Sequence, residues 1–187
     1  NISINNTTIN AGSNANQFAF DVCGYAKYTA GVTVTVSGTS VINGKVEISK
    51  SAGNTELMKL NITSGTFNGD LKVDASVGTE NAQSIISVSG GTFSDPSVLK
   101  YMATNATVDI KLLSNINIAK TELATGYILN AANATANLNL NGHDIINSSE
   151  TADATPFTQI FTVQNGTLNI SGNGNVKCDA SATAKDD

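Results

Sequence analysis

Carboxylates are the side chains of this sequence best suited to acid–base chemistry, and their densest group comprises Glu47, Asp70 and Asp74. Cleavage of a glycosidic bond needs two carboxyl groups, one on each side of the scissile bond. However, Lys45 and Lys72 alternate with these acids at positions that adjacent strands would bring together. We therefore interpret the group as a ladder of opposite charges on the outer face of a sheet, where each pair contributes about 0.2–1 kcal/mol.

The single histidine, His143, lies in the turn-like segment Asn-Gly-His-Asp, and Asp144 has no acidic neighbour in the sequence. We expect His143 to be an exposed turn residue without a catalytic role. A calcium site would need several converging oxygen ligands, but the sequence contains no Asp-x-Asp-x-Asp phrase. The sequence therefore predicts no catalytic residue, no metal site and no cofactor.

Aromatic side chains in loops are the best candidates for contact with a ligand or partner, because a ring offers a large contact area at a small entropic cost. Tyr25, Lys27 and Tyr28 form one such group, and Phe157 lies in another loop-like segment. We predict that these four residues contact a ligand or partner.

Composition excludes two classes of partner. The net charge is −5, the pI is about 4.7, and all ten basic residues are lysines. Nucleic-acid binding requires clustered basic residues, so we expect no nucleic-acid partner. No apolar run approaches the roughly 18 residues of a transmembrane helix, so we expect no membrane insertion. The chain opens directly on a strand-like segment, which suggests a mature or excised part of a longer protein.

An internal repeat is the most informative feature of the sequence. A phrase of alternating apolar and polar residues, often followed by Gly and Thr, recurs along the whole chain. Its second apolar residue falls at positions 4, 36, 62, 88, 112, 140 and 170. Period-two alternation indicates strands, and variable spacing indicates loops of different lengths between stacked strands. The repeat therefore predicts a β-solenoid.

Register supports this prediction. When the segment at 45–48 is placed over the segment at 70–73, apolar residues meet apolar residues and opposite charges meet outside. The pairs are Lys45 with Asp70, Val46 with Leu71, Glu47 with Lys72, and Ile48 with Val73. We expect Ile62, Val88, Leu140 and Ile170 to form one inward-facing stack. We also expect a short helical excursion near 95–103, where Asp95-Pro96 resembles a helix start.

The two cysteines, Cys23 and Cys178, would lie in the first and last coils of such a solenoid. Six strand spacings separate these coils by roughly 29 Å, whereas the Cα atoms of a disulfide lie within about 7 Å. We therefore expect two free, mostly buried thiols.

Several phrases resemble right-handed parallel β-helix proteins of gut bacteria and their phages, which have a pectin-lyase-like fold. They are Leu138-Asn-Leu140-Asn-Gly-His-Asp-Ile145, Gly166-Thr-Leu168-Asn-Ile170-Ser-Gly172-Asn-Gly174 and Gly90-Gly91-Thr92-Phe93-Ser94. The resemblance implies an all-β, right-handed parallel β-helix of about seven coils, forming a single domain over residues 1–187. Because the last phrase often closes a module, the resemblance also suggests two sub-modules, 1–108 and 109–187.

The resemblance leaves function open, because β-helix proteins include both enzymes and scaffolds. Lyases of this fold typically use an arginine as the base, and this chain has none. We expect a non-enzymatic structural or attachment module, exposed outside the cell, on a cell surface or on a virion. A cell-surface glycan is one candidate ligand. The alternatives are a fragment of a polysaccharide lyase or glycoside hydrolase, and a virion fibre or decoration protein that functions only through assembly.

A solenoid also leaves sheet edges open at both ends, and such edges invite pairing with other chains. We therefore expect other subunits, or the rest of a longer chain, to cover at least one end.

Overall fold

The structure is a computed structural model that describes residues 1–12, 17–24, 31–54, 56, 58–78, 85–118, 126–147 and 159–178. It consists almost entirely of short strands. These are β1 (Ile2–Asn5), β2 (Thr8–Asn10), β3 (Phe18–Gly24), β4 (Thr33–Ser37), β5 (Val41–Asn43), β6 (Lys45–Lys50), β7 (Lys59–Ile62), β8 (Thr66–Asn68), β9 (Leu71–Val73), β10 (Ile86–Val88), β11 (Thr92–Phe93), β12 (Thr107–Lys111), β13 (Ile116–Ile118), β14 (Tyr127–Asn139), β15 (Ile145–Asn147), β16 (Phe161–Ser171) and β17 (Val176–Cys178). Two 3-10 helices cover Ala75–Val77 and Pro96–Tyr101.

All pairs of these strands are parallel, and they form four sheets. The first sheet has the order β1-β4-β7-β10, and the seven-stranded sheet has the order β16-β14-β12-β11-β8-β5-β2. The third sheet has the order β3-β6-β9, and the fourth has the order β13-β15-β17. Consecutive strands of one sheet therefore belong to successive turns of the chain. This confirms the predicted parallel β-solenoid.

The solenoid has about five turns, which is fewer than the seven coils predicted. The predicted count assumed that every apolar phrase begins a turn on the same face. Phrases at 4, 36, 62 and 88 do lie on the first sheet, but those at 108–112, 138–140 and 168–170 lie on the seven-stranded sheet. Both faces use the same alternation of apolar and polar residues, so the pattern alone does not distinguish them.

The change of face occurs at the second 3-10 helix. Thr92 pairs with Asp109 only 17 residues later, whereas Thr66 and Thr92 are 26 residues apart. Pro96–Tyr101 fills this shorter turn, and Met102 forms a single parallel bridge with Val88. The predicted helical excursion near 95–103 is thus confirmed. Asp95 caps this helix, since its Oδ1 accepts a hydrogen bond of 2.7 Å from the backbone N–H of Ser97.

The core consists of inward side chains stacked in columns through the layers. In the seven-stranded sheet one column contains Ile9, Ile42, Phe67, Phe93, Ile110, Leu138 and Ile170. The rings of Phe67 and Phe93 stack with centroids 5.1 Å apart. Full burial of such a side chain contributes roughly 1.5–3 kcal/mol, so each added layer stabilises its neighbours.

The predicted single stack of Ile62, Val88, Leu140 and Ile170 is wrong. Ile62 and Val88 are adjacent in the first sheet and fully buried. Ile170 instead pairs with Leu138 in the seven-stranded sheet and is 47% exposed, because β16 is the last strand of that sheet. The two pairs belong to different faces because of the change at 96–109.

Glycine makes the corner between the first and seven-stranded sheets. Gly65 and Gly91 occupy equivalent positions, with φ of +114° and +122°. A Cβ on Gly91 would lie 3.0 Å from the carbonyl oxygen of Gly65 in the layer below. The Gly-Thr phrase of the repeat therefore marks a corner where side chains are excluded by both backbone conformation and close layer packing.

Cys23 has a free thiol, but its side chain is exposed, not buried as predicted. Val22 and Gly24 of β3 point into the core, and a strand alternates its side chains between faces. Cys23 therefore faces outward. Cys178 ends β17 in the last layer, and the structure does not describe its side chain.

The division into sub-modules at 108/109 stays a prediction. β12 spans both residues and pairs with strands on either side, so the seven-stranded sheet is continuous there.

Substitution of Ile62 by Asp tests the core columns. A carboxylate would be buried without a partner, so we expect Ile62→Asp to lower the free energy of unfolding by at least about 3 kcal/mol. Ile170→Asp is the matched control, because the same substitution at a half-exposed site should cost less than about 1 kcal/mol. Urea denaturation followed by circular dichroism measures both. Equal losses for the two variants would contradict the burial pattern.

Candidate functional site

The four predicted contact residues, Tyr25, Lys27, Tyr28 and Phe157, lie outside the described residues. Their role in binding stays a prediction.

The predicted charge ladder is present in the third sheet. Val46, Glu47 and Ile48 of β6 pair with Leu71, Lys72 and Val73 of β9, as the register predicted. Lys72 Nζ lies 3.4 Å from Glu47 Oε1 and 3.9 Å from Asp74 Oδ2. These acids are thus neutralised by a shared lysine across the layers.

Asp74 has a second structural role. Its Oδ1 accepts a hydrogen bond of 2.8 Å from the backbone N–H of Ser76, which caps the 3-10 helix Ala75–Val77. Hydrogen bonds from Ser76, together with the charge of Lys72, lower the pKa of Asp74 below its ordinary value. Asp74 is therefore suited to remain a carboxylate and poorly suited to donate a proton.

Asp144 likewise links two layers. Its Oδ1 accepts hydrogen bonds from the backbone N–H and the side-chain amide of Asn175, at 2.8 and 2.9 Å. Lys177 Nζ lies 3.4 Å from its Oδ2. These contacts lower the pKa of Asp144, with Asn175 as the largest cause. The neighbouring His143 is half-buried, and its backbone N–H donates to the carbonyl of Leu140 at 2.8 Å.

Side-chain amides form ladders that our sequence analysis missed. Asn43 Nδ2 donates to Asn10 Oδ1, and Asn68 Nδ2 donates to Asn43 Oδ1, both at 2.7 Å. Asn137 donates to Asp109 at 3.0 Å, and Asn169 donates to Asn137 at 2.9 Å. The signal in the sequence was an Asn at the last position of three strands, β2, β5 and β8, whose recurrence follows the repeat.

All of these ladders have the same direction. In each printed rung the amide nitrogen belongs to the later layer and the accepting oxygen to the earlier one. Further examples are the rung from Asn133 to Asn105, at 3.2 Å, and the rung from Asn165 to Asn130, at 2.7 Å. The polar outer surface is therefore organised along the solenoid axis.

One open groove of about 480 Å³ crosses several layers. It lies where the chain turns from the seven-stranded sheet into the third sheet, since Gly44 and Gly69 border it between successive strands. Its polar lining includes Gln17, Lys45, Asn68, Asp70, Asp95 and Ser114. Such a surface offers hydrogen-bond donors and acceptors to a hydroxyl-rich ligand.

Asp95 is the acid of this groove with a raised pKa. Burial is the main cause, and the negative charge of Asp70 acts in the same direction, while hydrogen bonds from Ser97 oppose both. Two carboxyl groups close enough to influence each other are one requirement of acid–base catalysis. Asp95 is also the cap of Pro96–Tyr101, which by itself accounts for a carboxylate at this position.

Among the described residues, no group of three or more His, Cys, Asp or Glu side chains is arranged to hold a metal ion. Within the same part of the chain, no helix combines the length and apolar character needed to cross a membrane.

Comparisons with protein-family models, curated proteins and solved structures found no match to this chain.

A charge-reversal cycle tests the ladder in the third sheet. Glu47→Lys would place two ammonium groups together and should destabilise the protein by at most about 1 kcal/mol. Adding Lys72→Glu should restore most of this loss, although the new Glu would lie near Asp74. Denaturation of the two single variants and the double variant measures the coupling. Additive losses would contradict the observed contact.

Truncation of the amide ladder tests its energetic contribution. Asn43→Ala removes two inter-layer hydrogen bonds, so we expect a loss of about 1–3 kcal/mol in unfolding free energy. Asn10→Ala removes one of these bonds and should cost about half as much, which makes it the internal control. Equal and negligible losses, measured by urea denaturation, would show that the ladder does not stabilise the fold.

Proposed function

We propose that this chain is a non-enzymatic structural and attachment module, a rigid solenoid that displays loops for ligand or partner binding. The observation that carries the proposal is the engagement of its outward polar side chains. Glu47, Lys72 and Asp144 pair between layers, and the asparagines do the same. These groups stiffen the stack and do not converge on a reactive centre.

A solenoid of this kind suits display. Each layer fixes the next through backbone hydrogen bonds, apolar columns and amide rungs, so that loops leave a scaffold with little freedom to rearrange. A binding surface on a rigid scaffold loses little conformational entropy when it binds. The low charge and the resemblance in sequence favour a location outside the cell, on a cell surface or on a virion, with a cell-surface glycan as a candidate ligand.

Replacement of the loop aromatics tests this function. We expect Tyr25→Ala with Tyr28→Ala to reduce binding to immobilised cell-surface glycans or to intact bacterial cells at least about tenfold, without a change in melting temperature. Leu113→Ala is the matched control, because it removes an exposed apolar side chain elsewhere on the surface. Undiminished binding by the double variant would overturn the assignment of these residues.

A glycan-cleaving enzyme is the second candidate, and the groove containing Asp70 and Asp95 favours it. The discriminating experiment is the release of reducing ends or unsaturated products from a glycan panel. Asp95→Asn is informative because Asn also caps helices well, so the variant loses the acid without losing the cap. Cleavage that disappears in Asp70→Asn or Asp95→Asn would replace the scaffold proposal.

A further inference from the structure

The last layer of the solenoid exposes side chains from columns that are buried elsewhere. Val163 and Ile170 of β16 are each 47% exposed, whereas their partners in β14, Leu129 and Leu138, are fully buried. Val176 of β17 is 37% exposed over a fully buried Ile145. β16 is also the longest edge strand among the described residues. This layer is thus an apolar surface bordered by backbone hydrogen-bonding groups.

The first layer has the complementary shape. A cleft of about 270 Å³ opens between β1 and β3, and Ile2, Ile4, Phe20 and Val22 contribute to its lining. Ile2 is 54% exposed, although Val34, its partner in the next layer, is buried. The cleft is therefore the open end of the same core that β16 exposes at the other end.

The two ends also match in register. Ile9 and Ile170 occupy one column of the seven-stranded sheet, and the pairing places Thr8 in the column of Asn169 and Asn10 in the column of Ser171. Each end thus presents an apolar residue between two residues that can form hydrogen bonds.

The direction of the amide ladders selects the orientation. Asn169 uses its amide nitrogen toward the preceding layer, so its carbonyl oxygen is the atom that a following rung would use. Asn10 accepts from the following layer, so its amide nitrogen is the group suited to a preceding layer. Two last layers placed together would oppose acceptor with acceptor. A first layer placed on a last layer continues both the parallel pairing and the ladder direction.

We propose that a second copy of this chain docks head to tail, with β1, β2 and β3 of one copy adding in parallel to the β16–β17 layer of the other. Such an interface joins two different surfaces, and repeated addition produces linear stacks. This inference is independent of the loop-mediated attachment proposed above, since it involves neither the loop aromatics nor the groove.

Complementation between two blocked variants tests the proposal. Ile170→Asp blocks the last layer and Ile2→Asp blocks the first, and both sites are exposed enough for each variant to fold. Sedimentation velocity of the full 187-residue chain over a concentration series should show dimers and longer stacks. Each variant alone should self-associate at least about tenfold more weakly, because an aspartate would be buried at the junction. An equimolar mixture of the two should recover a dimer that does not grow, through its one intact pair of surfaces.

Leu113→Asp is the matched control. Leu113 is 56% exposed but lies away from both end layers, so this variant should associate like the unmodified chain. Circular dichroism melting checks that all variants are folded. A monomeric unmodified chain would overturn the proposal, and so would a loss of association in Leu113→Asp. Association that survives in Ile2→Asp alone, or a mixture that does not recover the dimer, would overturn the head-to-tail arrangement.

Discussion

Parallel pairing in register between successive turns is the interaction on which the rest of the structure depends. A shift by one residue would move every inward side chain of a strand to the outer face. The pairing of Val46 with Leu71 and Ile48 with Val73 buries four apolar side chains at least in part, while Glu47 and Lys72 meet outside. The same register aligns Phe67 with Phe93 and Asn43 with Asn68. Core packing, charge pairing and amide ladders therefore all follow from one alignment.

This alignment also explains how a chain with few charges maintains an ordered polar surface. Because equivalent positions of successive layers are close together, a polar side chain finds its partner in the next layer. Asn137 donates to Asp109 and accepts from Asn169, and Asp144 is held by Asn175 and Lys177. Such rungs stabilise the stack only as long as layers continue. The outermost layers are consequently the places where the fold is incomplete and where association is favoured.

The candidate sites were predicted to different extents. The Glu47–Lys72 pair followed from the sequence, because two strands aligned by their apolar residues necessarily align the charges between them. The groove around Asp70 and Asp95 was not predicted, since its lining comes from five separate turns and corners whose relative position depends on the path of the chain. The exposure of Cys23 was also missed, although the alternation of β3 around the buried Val22 contains that information.

The sequence by itself determined that the chain is a parallel β-solenoid, since alternation of period two and a recurring Gly-Thr corner define stacked strands. Only the tertiary structure decided which face each strand occupies and how many turns result. The short connection through Pro96–Tyr101 replaces a regular turn, so that Ile110 stacks on Phe93 of the seven-stranded sheet, not on Val88 of the first. All faces of a solenoid bury the same kind of apolar residue. A local pattern therefore specifies a strand, whereas the length and shape of the connections specify its place.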